Sequence, residues 1–82
     1  MAVHVKAYTT EPEIICMEKD EPSIEEAIRT IRLTFNRETQ AGRLFVEING
    51  KQSLYDPWFL MFMEWYGSGW CPIHNPVFYF RT

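Results

Sequence analysis

The sequence predicts an α+β domain of two layers, a mainly antiparallel sheet of about five strands with two helices in the order β-β-α-β-β-α-β. Three observations lead there: a strict alternation at the N-terminus, a capped amphipathic stripe after Pro22, and an Asn49-Gly50 pair between two short apolar runs. Eighty-two residues allow one core and no second domain, and the expectation is a single domain over 1–82. A chain of this size hides only about 60–65% of its unfolded surface. With 46% hydrophobic and 16% aromatic residues, some apolar surface is expected to remain outside that core.

Ala2 to Tyr8 places Val3, Val5 and Ala7 on one side and His4, Lys6 and Tyr8 on the other, the period of a half-covered strand. Thr9 to Pro12 reads as a turn, and Glu13 to Glu18 as a second strand. Ile14 and Cys16 oppose Ile15 and Met17 there, so both faces need cover and an interior position is expected. Ser23 with Glu26 three residues on forms a capping box, and Glu25 and Glu26 suit the positive end of a helix dipole. Ile24, Ala27, Ile28, Ile31 and Phe35 share one helical stripe, predicting a helix to about Glu38 that Gly42 finishes. Leu33 lies opposite that stripe.

Arg43 to Ile48 and Lys51 to Tyr55 read as a hairpin about Asn49-Gly50, whose residues tolerate the left-handed backbone of a tight turn. Asp56 and Pro57 then suit the cap and first position of a second helix, which Gly67 stops. Val77 to Phe80 is apolar on both faces and is expected as an inner strand.

The run 57–66 carries the functional argument, because Glu64 is its one charge and the rest is apolar or aromatic around the whole circumference of a helix. Ten helical residues span about 15 Å, too short to cross a bilayer. Either the following stretch, Gly67 to His74, folds back as a lid, or another chain covers the outer side. A strand over 58–66 is the alternative, since aromatic residues favour sheets. The expected protein-contacting anchors are Trp58, Met61, Phe62, Trp65, Tyr66 and Trp70, residue types enriched at interface hot spots.

Net charge is −3, unevenly spread: Glu11, Glu13, Glu18, Asp20, Glu21, Glu25 and Glu26 face only Lys6 and Lys19 in the first 26 residues. Glu18, Asp20, Glu21 and Glu25 are therefore read as a charged rim that steers a partner. The same acids allow a second idea, imitation of a phosphate backbone to occupy a nucleic-acid site on another protein. Direct nucleic-acid binding through Arg29, Arg32, Arg37 and Arg43 is opposed by Glu25, Glu26 and Glu38 among them.

Cys71-Pro72-Ile73-His74 has the spacing of half a zinc knuckle, which Cys16 and His4 could complete, although two such knuckles are the usual signature. The same Cys71 and His74 lack an evident third group for nucleophilic catalysis. Gly67-Ser68-Gly69 lacks the lysine and spacing of a phosphate loop. Two cysteines do not make a secreted disulfide framework, and the N-terminus does not read as a signal peptide, so a cytoplasmic chain is expected. The expected function is that of a non-enzymatic protein-binding module without cofactor, a homodimer or a small acidic regulator or inhibitor of a larger host protein. The alternatives are a zinc-stapled domain using Cys16, Cys71 and His74, and the nucleic-acid mimic.

Overall fold

The computed structural model describes residues 2–81 and arranges them as a six-stranded antiparallel sheet with two helices. The α+β expectation holds, with one strand more than predicted. The strands are β1 (Val3–Thr9), β2 (Ile14–Glu21), β3 (Leu44–Ile48), β4 (Lys51–Asp56), β5 (Met61–Tyr66) and β6 (Gly69–Pro72). Their order across the sheet is β2-β1-β3-β4-β5-β6. Helix α1 (Ile24–Thr34) carries the chain from the β2 edge across β1 to β3, and α2 (Pro76–Arg81) lies beside α1 on the same face. No helix among the described residues is long and apolar enough to cross a membrane.

The core lies between the helices and one sheet face. Val5 and Ala7 of β1 pair with Ile48 and Val46 of β3, and Leu44 pairs with Tyr55 of β4, which in turn pairs with Phe62 of β5. Ala27, Ile28 and Ile31 of α1, Phe35 at its C-cap and Phe80 of α2 close over them. Tyr55 ties the layers together: its hydroxyl donates to the Phe35 carbonyl at 2.6 Å, and its ring meets Phe62 at 4.9 Å. Burial pushes its pKa up to about 12.

The start of α1 follows the sequence, since Ser23 Oγ accepts from the Glu26 amide at 3.1 Å. Its end comes earlier than Glu38. Asn36 Oδ1 accepts from the Glu38 amide and Thr39 Oγ1 donates to the Thr34 carbonyl at 2.7 Å, so side chains capture groups that a longer helix would have paired. The hairpin at Asn49-Gly50 forms with φ of 55° and 79°, the type I′ backbone that matches strand twist.

Three other expectations are corrected. β2 is an edge strand, not an interior one, because β1 spends its second edge on β3; the alternating Glu18, Lys19, Asp20 and Glu21 are side chains that an exposed edge tolerates. Residues 57–66 are not a helix. Asp56 Oδ1 does accept from the Trp58 amide at 2.9 Å, but Leu60 takes φ 53° and ends the turn, and 61–66 continue as β5. A short run that is apolar all round reads the same as a buried helix or as a strand covered on both faces. Residues 77–80 form α2 rather than an inner strand. Asn75 Oδ1 accepts from the Phe78 amide at 3.2 Å and Pro76 opens the helix, the same cap-and-proline chemistry that Asp56-Pro57 shows without a helix following.

Candidate functional site

The helices cover one face of the sheet and leave the other without a second layer. Pairing registers place one residue from each strand in a single lateral row on that free face: Ile15, Tyr8, Phe45, Leu54, Met63 and Pro72. Every member is apolar or aromatic. The row is the inevitable complement of the core pattern, since residues adjacent in a strand point to opposite faces.

Trp70 and Trp65 face each other across β6 and β5, two register steps along from Pro72 and Met63 and so on the same face, with ring centroids 5.4 Å apart. Trp70 also meets Phe45 edge-on at 6.4 Å, although their strands are three positions apart, about 14 Å in a flat sheet. The sheet therefore curls so that Trp70 roofs Leu54 and Met63, which are 7% and 5% exposed with no helix above them. Tyr8 stacks on Phe45 at 5.8 Å and its hydroxyl accepts from Gln52 Nε2 at 2.5 Å. The outcome is a small second core on the free face, bordered by Trp65, which is 59% exposed.

The β1–β2 end of this face is charged. His4 Nε2 lies 2.7 Å from Glu18 and Nδ1 lies 3.0 Å from Asp20, so both ring nitrogens meet carboxylate acceptors, an arrangement that favours the protonated ring. Hydrogen bonds to Asp20 and to Glu18 raise its pKa above the ordinary value. Lys6 and Glu47 are direct cross-strand partners beside them, and Lys6 Nζ sits 5.1 Å over the Tyr8 ring.

The ten residues expected to touch a partner do not form one patch. Trp65 and Trp70 lie on the free face, with Glu18 and Asp20 at its charged end. Phe62 is in the core, against Tyr55 and Phe80. Trp58 is exposed in the turn after β4 with the Arg37 guanidinium 5.9 Å over its ring, and Met61 is half-buried at the start of β5. Tyr66 is exposed at the β5–β6 turn. Glu21 points to the helix side, where its carboxylate accepts from Thr30 Oγ1 and pairs with Lys19 at 3.6 Å, and Glu25 is exposed on the first turn of α1. Gly67 to His74 does fold back, as β6 and the chain leading to α2, but it extends the sheet and roofs its free face instead of covering a helix.

Tyr8, Phe45, Leu54 and Met63 belong to the free face and were absent from the expected set. The register of the Asn49-Gly50 hairpin, which pairs Phe45 with Leu54, was the signal for two of them. The zinc arrangement does not assemble: Cys16 lies on β2 and Cys71 on β6, opposite edges of the sheet. His4, the fourth candidate ligand, faces Glu18 and Asp20. No group of three or more histidine, cysteine or acidic side chains among the described residues is placed to hold a metal ion. Compared with known proteins, the chain matches no protein-family model, no curated protein and no solved structure.

Proposed function

We propose that the chain is a non-enzymatic protein-binding module that acts in the cytoplasm, a small acidic regulator or inhibitor that docks on a larger host protein through the free sheet face. The observation that carries this reading is the exposed Trp65–Trp70 pair, seated on a free sheet face whose apolar row is already packed beneath Trp70. Tryptophan, tyrosine and methionine concentrate at the desolvated centres of interfaces. Trp70 is already held by Phe45 and Trp65, so a partner meets a surface whose side-chain ordering is largely complete before binding. The His4, Glu18 and Asp20 cluster supplies polarity at the rim rather than a free acidic array, which favours this reading over imitation of a phosphate backbone.

The test uses two lysine substitutions at exposed positions on opposite sides of the sheet, Trp65→Lys on the free face and Leu33→Lys on α1. Sedimentation velocity at micromolar concentration reports self-association, and capture from host extract with quantitative mass spectrometry reports a foreign partner. The expected result is one association that Trp65→Lys weakens about thirtyfold or more, the scale of a hot-spot loss of ~2 kcal/mol, and that Leu33→Lys leaves intact. A wild-type chain that stays monomeric and retains nothing that Trp65→Lys fails to retain refutes the reading.

A further inference from the structure

The helix side of the molecule holds a groove that the sheet-face reading leaves unused. It runs between α1, α2 and the turn joining β4 to β5, with Ile28, Leu33, Leu60 and Val77 as its apolar walls and a volume of about 370 Å³. A second hollow of about 410 Å³ continues beyond it toward Phe59, Ile73 and His74. Arg32 and Leu60 line both, so the two meet at the Arg32 side chain. Each falls within the range of about 300–1,000 Å³ typical of small-molecule sites.

Arg32 is fixed there from two directions. Its Nε donates to the Leu60 carbonyl at 3.0 Å, and its guanidinium carbon lies 5.5 Å over the Phe62 ring. The remaining N–H groups have no carboxylate within ion-pairing distance among the described residues. Arg29 and Arg43, by contrast, are matched to Glu26 and Asp56. A guanidinium donates and never accepts, so an oriented one between two apolar hollows complements an anion with an apolar body. Glu25 lines the same groove but stands seven residues, about 10 Å, along α1 from Arg32. It repels an anion charged at both ends and tolerates one charged at the Arg32 end alone. Arg29 lines the groove too, but its guanidinium is paired with Glu26, so Arg32 is the one cation there without a carboxylate partner among the described residues, and with the distant Glu25 it selects a monoanion.

We propose that this groove binds a small monocarboxylate with an alkyl or aryl body, its carboxylate on Arg32 and its body against Leu33, Leu60 and Val77. The site is independent of the docking face, because α1 and α2 lie on the other side of the sheet from Trp65 and Trp70.

Titration of the intact chain with octanoate, followed by amide NMR shifts, tests the proposal, with 1-octanol as the uncharged probe of equal length. Expected are saturable shifts centred on Leu33, Leu60 and Val77, and octanol affinity at least about tenfold weaker. Arg32→Gln brings octanoate down to the level of octanol while leaving octanol unchanged. Leu33→Asp, at a position 72% exposed and outside the core, weakens octanoate with the spectrum otherwise preserved, and so decides the matter even where the arginine variant is poorly folded. Equal affinity for the two probes, octanoate binding undiminished in Leu33→Asp, or no saturable shift in the groove overturns the proposal.

Discussion

Replacing Tyr55 with phenylalanine removes one oxygen atom and nothing else, and the structure assigns that oxygen a specific share of the stability. The ring is fully buried between the sheet and α1, so its packing against Phe62 survives the change. What is lost is the 2.6 Å hydrogen bond to the Phe35 carbonyl, the residue that caps the C-terminal end of α1. A net hydrogen bond contributes about 0.5–1.5 kcal/mol, and leaving a buried acceptor without its donor raises the cost to about 1–3 kcal/mol. A value near 2 kcal/mol lowers the urea midpoint by roughly 1–2 M in a chain of this length, or Tm by about 8–16 °C. Alkaline pH supplies an internal check. The Tyr55 hydroxyl is pushed up to about 12 by burial, against 10.0 unfolded, so the folded state holds this proton more tightly. Its contribution is therefore complete below pH 10 and is lost as pH rises toward 12. The wild type forfeits about 2–3 kcal/mol over that interval, and Tyr55→Phe, having no such proton, does not. The gap between the two proteins should narrow correspondingly in urea titrations from pH 9 upward. A variant within about 0.3 kcal/mol of wild type at neutral pH, or a gap that stays constant to pH 12, refutes the reasoning.

Other perturbations follow from single contacts. Asp20 and Glu18 raise the pKa of His4, so the stabilisation it provides is full below its ordinary pKa of 6.5 and disappears as pH rises through the elevated folded value; thermal melts of wild type should soften over that window while those of His4→Gln stay flat, and added salt should shrink the difference. Ser53 is buried with no partner for its hydroxyl among the described residues, so Ser53→Ala should raise stability by about 1 kcal/mol in urea unfolding; a destabilised variant would show that the hydroxyl is satisfied after all. Asn75→Ala removes the cap of α2 and should cost about 1 kcal/mol, with faster amide exchange confined to residues 76–81 as the signature that the helix end has loosened.

How far the fold was legible depended on whether a signal was local. Ser23 before an amphipathic stripe and Asn49-Gly50 between two strands specify their own geometry within four residues, and both stand as read. The edge position of β2 was not legible, because Ile14 to Met17 looks two-sided whichever neighbour it has; only the choice by β1 of β3 as its second partner decides it, and that choice is made across a helix. The error at 57–66 has a different root. Proline after an aspartate marks a turn as readily as a helix start, and the left-handed Leu60 that ends the turn leaves no trace in residue type. The mirror-image error at 77–80 came from giving an apolar run more weight than the Asn75-Pro76 pair in front of it. Among the candidate site residues, Trp65 and Trp70 are exposed and Phe62 is buried, a difference that aromaticity could not show, because strand parity rather than side-chain chemistry sends alternate residues to opposite faces.

That parity also changes what the greasy segment means. Read as a helix, 57–66 has an apolar circumference that a thin protein cannot wrap, and the surplus seems to demand another chain along its whole length. As β5 it divides its load: Phe62 completes the core under the helices, while Met63 and Trp65 face outward and Trp70 returns from β6 to roof the first of them. Part of the surplus is thus satisfied within the chain, and what stays exposed is narrower than the composition suggests, the outer side of the Trp65–Trp70 pair and the adjoining end of the lateral row. A surface of that kind is small, with its two tryptophans packed against each other and the His4, Glu18 and Asp20 cluster at the far end of the sheet. It suits recognition by one complementary partner better than indiscriminate apolar adhesion, which needs a broad and deformable face.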